Sequence, residues 1–217
     1  MEYIIFGDNS SLGVEIKKRK TPLHSFDRTW KGFQDFGDKI NESISFLHNL
    51  NKVDKYVIFY FSSVLHSKNF SEQYGFERLE SYNINTIVPI LLLRTLNQIK
   101  SLEFVFVYVS SESARKGSYD CSYWMTKMAT QRYIEDYKLC NPKSRSLCFA
   151  QSTMDSGMTL RRNDFDRLKN IRSTLRSKRF VTPKEIVDLI IELTSDKYPY
   201  LTNTTIEVND GKFATIE

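Results

Sequence analysis

Tyr123 and Lys127 are the two side chains whose types and spacing point most directly to chemistry. They stand four residues apart, so on an α-helix the phenol and the ammonium share one face. A free phenol titrates at about 10, and a cation held beside it favours the phenolate, which brings a tyrosine toward use as an acid or base near neutrality. Lys127 would supply that cation. In a chain with 12 tyrosines such a pair also arises by chance, as a half-buried phenol beside a solvated lysine. The preceding residues argue against chance. Residues 104–109 form an unbroken apolar run that ends in Ser110 and Ser111. A hydroxyl pair therefore stands at the carboxyl end of a buried strand, where open α/β sheets bind ligands.

A second such end lies near the start of the chain. Residues 3–6 read as a buried strand and lead into Gly7, Ser10, Ser11, Leu12 and Gly13. Glycines at a strand-to-helix turn let the backbone approach a phosphate, and the next helix N-terminus favours its charge. Residues 23–26 read as a second strand ending at Asp27, 20 residues after Gly7, where a carboxylate would bind an adenosine ribose. Arg28 follows directly and would instead meet a 2′-phosphate. A carboxylate at Asp27 repels that phosphate, which favours NAD over NADP.

The remaining elements alternate. Residues 32–34 read as a third strand, with Asp35 and Phe36 at its end, and residues 39–50 as a helix. Residues 56–61 are bulky and apolar on both faces, as a strand covered by helices requires. Residues 70–94 have mostly helical spacing, with Asn85 early in the segment and a kink expected at Pro89. After residues 104–109 and the tyrosine helix, residues 145–150 make a sixth strand and residues 205–208 a seventh. Thr182, Pro183 and Glu185 form a strong helix start. Strands alternating with helices imply one α/β domain over residues 1–217, a Rossmann-type doubly wound parallel sheet of seven strands.

Composition bounds the rest. The 217-residue chain is 41% hydrophobic, with no apolar run near the ~20 residues of a membrane span. The start lacks the pattern of a secretory signal, and the three cysteines have no metal-type spacing, so a reducing cytoplasmic setting is expected with all three as small hydrophobes. The three histidines are scattered, read as surface residues, and suggest no metal site. Net charge is +5, but residues 157–179 alone hold eight basic and two acidic residues, so the basicity belongs to one segment.

Taken in order, these residues resemble the short-chain dehydrogenase/reductase family over nearly the whole chain. The glycine-rich turn matches Gly7, Ser11 and Gly13, with Phe6 in place of threonine and Ser11 in place of the middle glycine. The acidic residue after the second strand matches Asp27, and the Asp-Val beside adenine matches Asp35 and Phe36. The Asn-Asn-Ala-Gly after the fourth strand is replaced by Phe59, Tyr60, Phe61 and Ser62. The helical asparagine matches Asn85, the serine pair Ser110 and Ser111, and the tyrosine and lysine Tyr123 and Lys127. The segment after the sixth strand appears as Ala150, Gln151 and Ser152, with Ser156 for the threonine. The closing Pro-Glu-x-Ile pattern looks like Pro183, Lys184, Glu185 and Ile186.

The resemblance implies hydride transfer between NAD or NADP and a carbonyl or alcohol carbon. Tyr123 would give or take the proton, Lys127 bind the nicotinamide ribose, Ser111 or Ser110 hold the substrate oxygen, and Asn85 hold a water linking Lys127 to solvent. The turn from Gly7 to Gly13, with Ser62 and Ser152, would contact the cofactor. The family's substrate-covering segment corresponds to residues 153–180, whose Arg161, Arg162 and Arg167 suggest an anionic substrate such as a phosphorylated or nucleotide-linked sugar; a solvated basic face is the plainer alternative. A homodimer or homotetramer is the usual family state. Two rival readings are a catalytically silent cofactor-sensing or scaffold protein with this fold, and a nucleic-acid binder using the basic segment.

Overall fold

A computed structural model describes residues 1–27, 33–52, 54–160 and 164–214. Six parallel strands form one sheet in the order β2-β1-β3-β4-β5-β6: β1 (Glu2–Phe6), β2 (His24–Phe26), β3 (Lys55–Tyr60), β4 (Glu103–Val109), β5 (Arg145–Gln151) and β6 (Thr204–Val208). Strand side chains alternate between faces, and here both alternations are apolar. Ile4, Tyr56, Ile58, Tyr60, Phe104, Phe106 and Tyr108 pack under α2 (Phe33–His48), α4 (Val88–Gln98) and α6 (Cys121–Asp136). The intervening Ile5, Val57, Phe59, Val105 and Val107 pack under α1 (Ser11–Lys17) and α9 (Pro183–Thr194).

The seven-strand expectation is corrected to six among the described residues. Phe33 and Gln34 open α2 instead of forming a third strand, and Gly32 lies outside the described residues. Phe36, Ile40, Ile44 and Leu47 recur at helical spacing and all pack into the same core, so periodicity over 16 residues overrides a three-residue strand reading. The expected long helix is also divided. A 3-10 turn (Phe70–Glu72), α3 (Gly75–Tyr82), a π turn (Asn83–Ile87) and α4 follow one another.

Pro89 has an atomic consequence at that π turn. The Val88 N–H bonds the Asn83 carbonyl, five residues back, and Pro89 has no N–H for the carbonyls of Ile84 or Asn85. Strand tyrosines fill the gap: Tyr60 Oη donates to the Ile84 carbonyl at 2.5 Å and Tyr108 Oη to the Asn85 carbonyl at 2.9 Å. Thr130 Oγ1 donates to the Asn85 carbonyl as well, at 2.8 Å. Two phenols in otherwise apolar strands thus satisfy backbone groups that would be left unpaired in the core.

At the opposite end of the sheet, the Arg145 guanidinium donates to the carbonyls of Leu193, Thr194, Ser195 and Tyr198, closing the C-terminus of α9. Thr182 and Glu185 form the expected reciprocal cap at its start. The cysteines are free, but only Cys148 is buried and Cys140 is exposed, so they are not uniformly small core residues. His66 is not a surface residue either: its side chain is 12% exposed and sits between Glu77 and Glu80. Among the described residues no cluster of metal-binding side chains occurs, and no helix is long and apolar enough to cross a membrane.

Candidate active site

The carboxyl ends of β1, β3, β4 and β5 open onto one cleft of about 250 Å³, lined by Gly7, Ser10, Ser62, Tyr123, Lys127 and Ser156 among others. Its floor is the turn after β1. Gly7 has φ +87, and a Cβ there would stand 2.6 Å from the Ser62 backbone nitrogen. Only glycine fits that combination of left-handed backbone and close approach. Gly13 is equally confined, because its Cβ would meet the Gly7 carbonyl at 2.5 Å. Ser10 caps α1, its Oγ accepting from the Gly13 N–H at 3.0 Å. Ser11 Oγ accepts from the Gly157 N–H at 3.4 Å, joining this turn to α7 (Gly157–Leu160). Leu12 lines the cleft and packs into the core below it. Asp8, not singled out by sequence, accepts from Lys17 Nζ at 3.0 Å and Ser25 Oγ at 3.2 Å, tying the turn to β2.

Beyond Gly7 the surface continues into a second hollow of about 300 Å³, lined by Asp27, His24, Phe26, Lys39, Ser43 and Tyr60. Phe36, expected beside an adenine, is partly buried and packs with the hydrophobic core. The helical start of α2 turns this ring toward the strands. Asp35 lies in the first turn of α2, its side chain outside what is described, and Arg28 lies outside the described residues. The α2 residues Lys39 and Ser43 line the hollow instead.

The chemical end is built on α6. Asp120 caps the helix by accepting from the Tyr123 N–H at 3.0 Å, which fixes the first turn and the phenol it carries. Tyr123 is 7% exposed. Burial raises its pKa, opposed by the hydroxyls of Ser111 and Ser63, which favour the phenolate. Ser111 is thus the member of the serine pair that faces the phenol. Ser110 Oγ donates away from it, to Gln131 Oε1 at 3.0 Å. Ser63 was missed because no motif marks it and the strand was expected to run one residue further. β3 ends at Tyr60, so Phe59 and Tyr60 are strand residues, and Phe61, Ser62, Ser63 and Val64 follow it.

Lys127 is 1% exposed. Its Nζ donates to the Val109 carbonyl at 2.7 Å and lies 4.7 Å from the Tyr108 ring centroid and 5.8 Å from that of Tyr123. Burial pushes its ammonium down to about 7. This corrects the simple expectation that Lys127 depresses the Tyr123 pKa: desolvation governs both groups, lowering the lysine and raising the phenol.

The water-holding role expected of Asn85 is also corrected. Asn85 is fully buried, and each of its polar groups has a protein partner. Oδ1 accepts from the Val64 N–H at 3.0 Å and Ser63 Oγ at 3.2 Å. Nδ2 donates to the Val64 carbonyl at 3.0 Å and Thr126 Oγ1 at 3.2 Å. Its carbonyl is the one held by Tyr108 and Thr130. Asn85 clamps the loop after β3 to the π turn, with no group left to face a water.

Past Tyr123 lies a third hollow of about 110 Å³, lined by Leu65, Ser111, Glu112, Tyr119, Ser152 and Thr159 among others. Ser152 lines this hollow and not the main cleft. Glu112 was not foreseen. Its buried carboxylate is paired with Lys116 and Lys212, and although burial alone would raise its pKa, these ammonium groups and the Ser152 hydroxyl hold it below the usual carboxylate range. The Arg167 guanidinium of α8 (Phe165–Thr174) lies over the Tyr119 ring, 4.4 Å from its centroid, at the rim of this hollow. Arg161 and Arg162 lie outside the described residues.

No protein-family model and no curated protein matches the sequence. Solved structures match strongly in shape. A short-chain glucose/ribitol dehydrogenase from Brucella melitensis aligns with TM-score 0.80 at 17% identity, over 99% of this chain and 97% of the other. A 3-oxoacyl (acyl-carrier-protein) reductase from Agrobacterium tumefaciens, with NADP bound, gives 0.74 at 14% identity over 96% and 93%. An angucycline C-6 ketoreductase with NADP bound gives 0.77 at 14% identity over 97% and 95%. The chain has the short-chain dehydrogenase/reductase fold.

Proposed function

We propose that this protein is an NAD(P)-dependent oxidoreductase of the short-chain dehydrogenase/reductase class, interconverting a carbonyl and an alcohol. The observation that carries the reading is the meeting of Tyr123, Lys127, Ser111 and Ser63 beside a turn in which Gly7 and Gly13 have no room for a side chain. That turn and the hollow beyond it fit a dinucleotide, with pyrophosphate over residues 7–13 and adenosine toward Asp27 and Lys39. When bound, the nicotinamide supplies or accepts the hydride.

In reduction the substrate oxygen takes the proton of Tyr123 Oη as its carbon takes hydride; in oxidation both move in reverse. Ser111 and Ser63 orient the phenol and the substrate oxygen. Lys127, with its pKa of about 7, exists in both protonation forms near neutrality and provides a cation where charge develops. Asp27 at the adenosine end supports NAD as the preferred form. Arg167 at the rim of the 110 Å³ hollow supports an anionic substrate, whose reacting end would sit among hydroxyls. The exposed Phe76 and Leu79 of α3 and Met125 and Met128 of α6 support self-association as a homodimer or homotetramer, which light scattering would read.

The first experiment is thermal unfolding with and without saturating NADH or NADPH. A ligand at a hundred times its Kd stabilises by about 2.7 kcal/mol, a rise of about 5–10 °C for a chain of this size. The expected result is a rise with NADH exceeding that with NADPH, followed by oxidation of NADH by an anionic hydroxy-carbonyl panel, lost in Tyr123→Phe. A rise without turnover would transfer the protein to the cofactor-sensing alternative. The enclosure of Asn85 is the feature that keeps that alternative in view. No rise with either nucleotide would end the enzyme and cofactor-sensing readings and leave the scaffold reading.

A further inference from the structure

Asp120 is fully buried, and its carboxylate accepts four N–H groups from separate parts of the chain. Oδ1 takes the Tyr123 N–H at 3.0 Å and Gln73 Nε2 at 2.7 Å. Oδ2 takes the backbone N–H groups of His66 and Ser67, both at 3.0 Å. Gln73 is fixed in turn: its Oε1 accepts from Ser122 Oγ, its Nε2 also reaches the Lys68 carbonyl at 3.2 Å, and its own carbonyl accepts from Arg78 at 2.8 Å. Ser67 is held at φ +57, a left-handed conformation that a serine adopts only when its surroundings impose it. The loop between β3 and α3 is thus drawn onto the first turn of the helix that carries Tyr123.

That loop supplies two contacts of the candidate site. Ser63 presents its hydroxyl to Tyr123, and Leu65 forms a wall of the substrate hollow. A carboxylate is the side chain suited to this junction, because its two oxygens accept several donors at once and it carries no donor of its own. An amide would face N–H groups with N–H groups on one side.

We propose that Asp120 is the positioning residue of this active site, holding the loop after β3 against α6 so that Ser63 and Leu65 face the Tyr123 hydroxyl. This rests on the reading of Tyr123 as the acid and base. Asp120 also acts at a distance on the phenol. The charged groups facing Tyr123 are Asp120 at its helix start, Glu112 from the segment after β4, and Lys127 on its own helix. The two carboxylates favour the protonated phenol, so removing one lowers its pKa.

The test compares the full-length wild type with Asp120→Asn and Gln73→Leu. Amide exchange is expected to accelerate over residues 63–74 and at Tyr123 in Asp120→Asn, and over residues 66–74 alone in Gln73→Leu, with β4 and α9 unchanged in both. NADH affinity is expected to stay within about two-fold of the wild type, since the glycine turn is untouched, while kcat falls roughly ten- to a hundred-fold. In the reducing direction the loss of rate with rising pH shifts to lower pH in Asp120→Asn only. If Asp120→Asn does not fold, the exchange pattern of Gln73→Leu still decides. Unchanged exchange in the foldable variants overturns the proposal, as does a pH profile of Asp120→Asn that coincides with the wild type. A wild type without turnover, together with accelerated loop exchange, separates the two claims: the loop clamp stands and the assigned reaction fails.

Discussion

The two ends of the cleft are built to different standards. At the Tyr123 end three side chains are each fixed by partners inside the protein. Asp120 accepts four hydrogen bonds, Asn85 is enclosed on all sides, and Lys127 is anchored to the Val109 carbonyl. At the Asp27 end the wall is thinner: the edge strand β2 has three residues, and helix α2 takes the place that another strand was expected to fill. Chemistry tolerates little displacement of the reacting groups, whereas gripping a nucleoside can be shared among several weak contacts. The contrast sets a tightly bonded end against a thinner-walled one within a single 217-residue chain.

The sharpest way to break the comparison is Lys127→Met. A lysine whose pKa falls from 10.5 in the unfolded chain to about 7 in the folded one binds fewer protons when folded. Stability must then rise with pH across that interval, by up to about 1.4 kcal/mol per pH unit. Lys127→Met removes the slope, so the variant is expected to be more stable than the wild type near pH 7, with the advantage shrinking by several kcal/mol toward pH 10. Chemical denaturation at a series of pH values measures the gap; a constant gap would show that Lys127 is not desolvated.

Next comes Gly7→Ala, which combines the φ of +87 with the 2.6 Å approach to Ser62. A loss of more than ~2 kcal/mol is expected, with the NADH-induced rise in Tm abolished. Full retention of that rise would mean that the turn does not carry the cofactor. The π turn offers a finer comparison. Tyr60→Phe leaves the Ile84 carbonyl with no phenol and is expected to lose about 1–3 kcal/mol, whereas Tyr108→Phe loses less because Thr130 still serves Asn85. Equal losses would sink that account. Smallest is Gly37→Ala within α2, where a methyl meets open space. It should stabilise by about 0.5–1 kcal/mol, since the glycine serves no contact there.

Much of the fold was legible because its signals are local and periodic. Continuous apolar runs at residues 56–61 and 104–109 mark strands covered on both faces, and Thr182, Pro183 and Glu185 announce α9 by chemistry contained within four residues. The spacing of Tyr123 and Lys127 is likewise a property of one helix. What escaped depends on meetings between distant segments. Asn85 lies in an ordinary helical pattern, and only the missing Pro89 N–H, the Tyr108 phenol and the Thr130 hydroxyl turn its carbonyl inward. The count of strands failed where residues 32–34, read as a short strand, overlapped the start of a helical period. Ser63 and Asp120 carry no motif; their importance lies in partners far along the chain, as in the bond from His66 to Asp120, 54 residues apart.

The π turn before Pro89 amounts to a helix with one residue more than its length needs. That surplus sets the phase of everything upstream. Removing a single residue between Asn83 and Ile87 would restore ordinary winding and rotate α3 by about 100° about its axis relative to α4. Phe76, Leu79 and Tyr82 would then face a different neighbour, with no change in their own chemistry. A one-codon deletion could therefore redirect a surface that no point substitution within it would turn.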